Sequence, residues 1–538
     1  MREPELGPTS SAWLRARSLA ASALGYSAAF ALLTLPLATR PSSHVISHWD
    51  VDIEHSLWAQ WWFATALTSG EHALFETDMI DFPQVVDLRL ADLNLAVVAL
   101  GSALEVLLAP AAAYNASLLL AFVSSGLLLR QLALRLGASA SAAWLAGLVF
   151  AGSPAWIACM SNGWGSLVHV WVLPLCLVAG LRVRDRPGAA TGALLGAAFA
   201  LGFHTTPYYA IYAVVLAALL LPWQIRAIRA WLALAGALPA LFAAALVASL
   251  LVAPRAIGMA AAAAAPQVVH HGPLDTALSA PLLEWIWPAR RAVAARVSEV
   301  GYLVVFPGYT LLATLALALA RGGARRLAMW LATAAALALL SLGPALVLAD
   351  GVPTPLPLPG ALLQRLPGFE LTTNHWRYAL PAALCLAVAF ALGLSALQRE
   401  LEARRPGCAR ALPAALAALL AIELVLLWPF PLAKPLWEVR ASPIAARLAA
   451  RDDVHAVFDR TALAKLNQTV HGKPIALGWL PRLAVEVQRA NRAMVRVCDQ
   501  EPPECALRFG IDAVVLDERT ALLLRDGGRS ELLRALID

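Results

Sequence analysis

The residues whose types and spacing suit chemistry crowd into one stretch, His48-Trp49-Asp50-Val51-Asp52-Ile53-Glu54-His55, followed by Trp58, Trp61 and Trp62. The stretch comes just after the first apolar segment of membrane length. Carboxylates held outside a bilayer beside an interfacial helix can act on a lipid head group. One carboxylate can take the proton from an acceptor nucleophile while a phosphate leaves, aided by a metal ion or by basic side chains. Asp50 and Asp52 have the spacing to share a divalent ion such as Mg or Mn, or to divide the roles between them. Asp-x-Asp alone is a weak pattern. The competing reading makes Asp50 the N-cap of a helix and places Asp52 and Glu54 in its first turn, where the dipole favours them.

From Asp52 the pattern predicts a helix with Ile53, Leu57, Trp58, Trp61, Trp62 and Ala64 on one side and Asp52, His55, Ser56 and Gln60 on the other. Trp favours the membrane interface, so the apolar side is expected in the outer leaflet, with His55 a candidate substrate ligand on the polar side. In Asn374-His375-Trp376-Arg377, where the chain re-enters the membrane, Arg377 has the fork to meet a lipid phosphate with help from His375. A snorkelling Arg beside a belt Trp is the alternative. Glu299 is a candidate second acidic ligand or sugar contact, or else an ordinary loop carboxylate. Arg290 and Arg291, after Trp285 and Trp287, either bind anionic head groups or anchor the interface. His471 and Lys473 beside Gly472 either bind sugar or acceptor or form a polar turn between strands. Gly-x-x-x-x-Gly-Lys-Ser/Thr is absent, which weighs against a nucleotide-sugar donor or an ATP-driven pump.

The elements that must position these groups belong to a membrane protein. Hydrophobic residues make up 60% of the 538 and charged residues 14%, too apolar for an ordinary soluble chain. The net charge of +6 comes mostly from Arg between apolar segments, which reads as topology and contact with membrane lipids; nothing suggests a nucleic-acid partner. About eleven spans are expected, near 19–39, 112–134, 139–158, 165–182, 187–203, 207–223, 230–253, 301–320, 327–348, 377–397 and 411–430. The first lacks a small-x-small cleavage site and is expected to be retained. Alternation of the Arg-rich loops puts the N-terminus inside and the C-terminal tail outside. That alternation requires residues 92–109 to lie as a short helix in the outer interface. External loops then cover 40–111, 254–300 and 349–376. The second holds the alanine run 260–265, a short helix or mobile piece, and the third is too proline-rich for a helix before Ala361. Residues 1–430 form the membrane domain. The tail, 431–538, reads as a small α/β domain: a helix starting at Ser442-Pro443, strands at 454–458 and 513–516, and a closing helix at 530–537. Cys498 and Cys505 in it are either a disulfide or two free thiols. Cys159, Cys176 and Cys385 lie in apolar segments, and no spacing suits zinc.

In that context the arrangement resembles the GT-C membrane glycosyltransferases. The acidic first loop with interfacial helices, Phe82-Pro83 before a second helix, Ala113-Tyr114-Asn115 opening a span, Gly152-Ser153-Pro154 ending one, and the external tail carry the likeness. More specifically it is similar to a bacterial branch with an Asp-x-x-x-x-x-Trp element, here Asp52 to Trp58, and a tail segment like Asn467-Gln468-Thr469-Val470-His471-Gly472-Lys473-Pro474-Ile475. Many of those relatives have Gly where this chain has Trp49. The resemblance implies transfer from a polyprenyl-phosphate sugar to an envelope acceptor on the outer face of a bacterial cytoplasmic membrane, with Asp52 catalytic and Asp50 its competitor. A secondary transporter is the rival, although its ionisable residues would sit at mid-membrane and here the spans are nearly free of them apart from Glu423 and His204. A non-catalytic protein that binds lipid-linked glycans or scaffolds an envelope assembly is the third reading.

Overall fold

Within a bilayer every backbone N–H and C=O must find its partner inside the segment, so long apolar runs become helices. A computed structural model describes residues 8–47, 50–224, 236–264, 278–287, 304–348, 353–366, 369, 374–426, 434–500 and 502–515. Among these, seven helices are long and apolar enough to cross a membrane: Ala16–Leu33, Pro110–Arg135, Ala140–Ser161, Leu238–Ala263, Tyr309–Ser341, His375–Arg404 and Pro406–Leu424. Ala189–Thr205 and Pro207–Trp223 are shorter apolar helices. The chain divides into two compact units, one of Met1–Arg40, Asn115–Val252 and His271–Leu436, the other of Pro41–Tyr114, Ala253–His270 and Trp437–Asp538.

The first unit is built around Ala379–Arg404, which packs against Ala140–Ala151, Tyr309–Ala318, Ala324–Ser341 and Pro406–Leu426. Its sequence is apolar on all sides over its first five turns, and those turns are buried on all sides. Gly192 and Gly196 let Ala189–Thr205 approach Leu238–Ala263 closely, since a Cβ at either would strike the Ala240 or Ala244 carbonyl oxygen. Glu423 accepts the N–H groups of Tyr309 and, at 2.9 Å, Thr310, so this carboxylate caps the helix that begins at Tyr309. His204 Nε2 donates to the Leu251 carbonyl at 3.0 Å. Glu423 and His204 are therefore both bonded within the first unit.

Several expected boundaries move, each for a local reason. The span placed at 165–182 starts only at Val172 and ends at Asp185, because Gly163 at φ +75° turns the preceding chain. The span placed at 327–348 stops at Ser341, since Gly343 adopts φ +83° and Pro344 follows. Ala345–Val347 is instead a strand, antiparallel to Pro353–Pro357. The span placed at 230–253 runs through Pro254 to Ala263, taking much of the alanine run into the helix.

In the second unit, Asp50–Ser69 packs on Leu95–Glu105 and on Ala464–His471. Leu95–Glu105 has 11 residues, about 16 Å of helix, half of the roughly 30 Å needed to cross. Tail helices Pro443–Ala449, Ala464–His471, Val485–Gln500 and Pro502–Phe509 accompany a parallel strand pair, Val457–Asp459 with Ala513–Val515. Ser442 and Pro443 open the first of these helices, and a Cys498–Cys505 disulfide joins the last two. The helix expected at 530–537 lies outside the described residues.

Trp58 and Trp62 do not sit in the lipid interface. They are fully buried, stacked at 6.0 Å, in a core with Ile80, Leu88 and Ile475. A buried indole N–H needs an acceptor, and both have one inside the protein: Trp58 Nε1 donates to Gln468 Oε1 at 2.8 Å and Trp62 Nε1 to the Leu74 carbonyl at 3.0 Å. First loop and tail also bond through their backbones, Ile475 N–H to the Met79 carbonyl and Phe82 N–H to the Ile475 carbonyl, both at 3.0 Å.

Candidate active site

The helix Asp50–Ser69 sets the direction of every acidic side chain it carries. Asp52 is half-buried in its first turn. Glu54, two residues on, points about 200° around the axis and is buried. Its carboxylate takes the Leu466 N–H at 3.1 Å and also the Lys465 N–H, so it sits on the N-terminus of Ala464–His471. A first-loop carboxylate thus caps a tail helix.

The Lys465 side chain folds into the same space. Its buried ammonium donates to His55 Nδ1 at 3.0 Å and to the Trp479 carbonyl, and lies 5.6 and 5.5 Å from the Trp58 and Trp479 ring centres. These cation–π contacts offset part of its desolvation. Since Lys465 can only donate, His55 Nδ1 is an acceptor and its proton lies on Nε2, which donates to the Ala91 carbonyl at 2.9 Å. Burial, then Lys465, hold the imidazole well below its ordinary range. Burial raises the Glu54 carboxyl against the pull of Lys465, and lowers the Lys465 ammonium against the pull of Glu54, Asp81 and Asp52.

Asp81, at φ +57°, completes the cluster. It accepts from Asn491 Nδ2 at 2.8 Å and from the Gly478 N–H at 3.2 Å, and burial pushes it up to about 7 against those bonds and Lys465. Asp52 lies outside this knot. It is within electrostatic reach of Lys465 and of the Tyr114 side chain, whose buried hydroxyl has no hydrogen-bond partner among the described residues. The result is one half-exposed carboxylate on a helix gripped from behind.

The other sequence candidates divide. His55 is not a substrate ligand: both ring nitrogens are used inside the fold, where they orient Lys465. Asp50 begins the helix, but its side chain, with His48, Trp49, Arg290, Arg291 and Glu299, lies outside the described residues. Among the described residues no three His, Cys, Asp or Glu side chains gather as metal ligands. The Asp50 and Asp52 pair considered for a divalent ion includes a side chain outside the described residues. His375 and Arg377 belong to the first unit, on the turn His375–Tyr378. His375 is buried, and the half-buried Arg377 guanidinium lies 5.3 Å from the Trp164 ring centre and 4.7 Å from that of Tyr208.

His471 and Lys473 form no turn between strands. His471 ends the helix Ala464–His471, Gly472 at φ +67° closes it, and His471 Nδ1 accepts the Lys473 N–H at 3.0 Å. Lys473 Nζ donates to the Arg451 carbonyl at 2.8 Å. The tail segment quoted for its family likeness is instead where the tail grips the first loop: Gln468 holds Trp58, the Met79 carbonyl and the Lys473 carbonyl, and Asn467 joins Ser442 to Asp459. Lys465, Asp81, Trp479 and Asn491 escaped the sequence reading. The one signal for Lys465 was its place between Ala464 and Leu466, ahead of that segment.

No protein-family model matches the chain, and no curated protein matches it. Among solved structures it is similar to the arabinofuranosyltransferase AftD from Mycobacteria, at 17% identity and TM-score 0.52, over 86% of this chain and 31% of that one. A weaker likeness, at 13% identity and TM-score 0.48, covers 87% of this chain and 65% of the Archaeoglobus fulgidus oligosaccharyltransferase AglB, solved with an inhibitory peptide and a dolichol-phosphate. The chain therefore spans less than a third of AftD's length and under two thirds of AglB's. At 17% identity the likeness to AftD is one of fold.

Proposed function

We propose that this protein moves a sugar from a polyprenyl-phosphate donor to an envelope acceptor at the outer face of a bacterial cytoplasmic membrane, with Asp52 as general base. The observation that carries the reading is the half-buried Asp52 on a helix whose buried face is pinned by Glu54, His55 and Lys465, in a chain of GT-C fold. In the reaction Asp52 takes the proton of the acceptor hydroxyl as its oxygen bonds to the anomeric carbon. The bond from that carbon to the phosphate oxygen breaks, and its electron pair leaves with the phosphate. Arg377 and His375 are assigned to the donor phosphate, and Glu299 to a sugar contact. The wider arrangement proposed has about eleven spans, the N-terminus inside, and the tail as an α/β domain outside.

Asp52→Asn tests this directly, because the amide keeps the shape and the capping ability but cannot serve as a base. Membranes bearing the variant should transfer radiolabelled sugar from a polyprenyl-phosphate donor about 10² to 10⁴ times more slowly, at unchanged expression and Tm. A cap alone would cost about 1 kcal/mol of stability and leave the rate intact. Loss only in Asp50→Asn would move the base to Asp50; full activity in both variants would refute the assignment.

A further inference from the structure

Within the first unit, the start of Pro207–Gln224, the turn before Ala379–Arg404 and the loop after Pro154–Ser161 bring aromatic rings and one cation together. Tyr208 and Tyr212 occupy the first two turns of their helix, and Tyr378 directly precedes Ala379. The ring centres of Tyr208 and Tyr212 are 6.2 Å apart, those of Tyr212 and Tyr378 5.1 Å, and those of Trp164 and Trp376 5.6 Å. The Arg377 guanidinium lies against Trp164 and Tyr208, and Tyr212 is within its electrostatic reach. Trp164, Tyr208 and Arg377 are half-buried, whereas Tyr212, Tyr378 and Trp376 are fully buried.

The buried side is short of acceptors. Among the described residues the hydroxyls of Tyr212 and Tyr378 and Nε1–H of Trp376 have no hydrogen-bond partner, a costly state for buried polar groups. Neighbouring Tyr209, by contrast, donates to the Leu167 carbonyl. An indole and a guanidinium only donate, and both tyrosines can donate. The N-termini of an 18-residue and a 26-residue helix add positive potential at the same end of the bundle. The complement to such a surface is an anion that only accepts. We propose that Tyr212, Tyr378, Trp376 and Arg377 form a binding site for the phosphate group of a phosphate ester, with the two tyrosine hydroxyls as its buried donors.

The proposal deepens the assignment of Arg377 to a donor phosphate and rests on that reading. Its test needs no transfer. The full-length chain in detergent would be titrated with inorganic phosphate, farnesyl phosphate and farnesol, with Tm and heat of binding as readouts. Farnesyl phosphate should bind and raise Tm while farnesol does not. A response to inorganic phosphate as well would identify a site for the free anion, and its absence would assign the site to a lipid head group; either supports the proposal. Tyr212→Phe with Tyr378→Phe removes only the hydroxyls. This variant should keep or raise the ligand-free Tm while binding weakens about 10- to 100-fold, the loss expected for hydrogen bonds to a charged group. Unweakened binding in the variant, equal binding of farnesol, or a lower ligand-free Tm revealing partners within the protein would each overturn the site. Asp52→Asn should bind as the wild type does, so failure of transfer and failure of this site are told apart.

Discussion

Asp81 makes the buried knot sensitive to pH, and the sign follows from its environment. Its folded value of about 7 lies above its ordinary 3.8, because burial outweighs the bonds from Asn491 and Gly478 and the pull of Lys465. A raised value means that the folded state holds the proton longer. Stability from this group is therefore complete below pH 4 and is lost as pH rises through 7, at up to about 1.4 kcal/mol per pH unit. Asp81→Asn imitates the protonated form and should remove that fall. Tm measured from pH 4 to 8 should decline more steeply in the wild type than in the variant. His55, lowered, has the opposite sign but is common to both proteins and cancels in the difference; the window of Lys465 lies higher, at about 8 to its ordinary 10.5. Parallel curves would show that Asp81 keeps its charge in the fold. The sequence made the helix that carries Asp52 legible, because its apolar spacing is local. It hid the partner of His55, since Lys465 is 410 residues away in sequence. It also misplaced Trp58 and Trp62, because an interfacial and a core tryptophan share one helical period and differ only in what covers them.

Helices of the first unit were legible wherever a long apolar run met no competing backbone constraint, as in Pro110–Arg135 and His375–Arg404. They were misjudged where single residues decide. Pro254 suggested an end that the helix passes, and Gly343-Pro344 an interruption where the apolar run alone suggested a span. Glu423 read as a mid-membrane ionisable residue, a mark of transport. Its bonds to the N–H groups of Tyr309 and Thr310 make it a cap, with Gly308 at φ +101° leaving room for the carboxylate. Glu423→Ala should then cost about 1 kcal/mol of stability by removing the cap on two part-buried donors, with sugar transfer per folded molecule unchanged. An uncoupled substrate flux at normal Tm would be the transporter's answer instead. Gly192→Leu, which drives a side chain into the Ala240 carbonyl, should cost about 1 to 3 kcal/mol by the same measurement.

At the scale of the whole molecule, the second unit is discontinuous in sequence, and that determines what can fold alone. Composition drew a boundary near residue 431, because there the long apolar runs give way to short alternating ones. Packing gives the tail two small clusters of its own, around Met494 and around Leu448, and a third that it shares: Ala464, Ile475 and Leu480 join Trp58, Trp62, Ile80 and Leu88 of the first loop. Polar links run the same way, from Glu54 to the Ala464–His471 N-terminus, from Trp58 to Gln468, and from Asp81 to Asn491. Residues 431–538 made alone would expose that apolar face and leave Lys465 without His55 and Glu54, and such a fragment of about 100 residues has little stability to spare. It should lack a cooperative thermal transition by circular dichroism. Joined by a flexible linker to residues 41–109 it should gain one, and Lys465→Met in the linked protein should lower the midpoint less than Glu54→Ala, which orphans two buried N–H donors, whereas methionine keeps the apolar stem of the lysine. A sharp transition in the isolated tail would show that the first loop is a guest on a finished domain, and that the grip on the Asp52 helix is not part of the tail's folding.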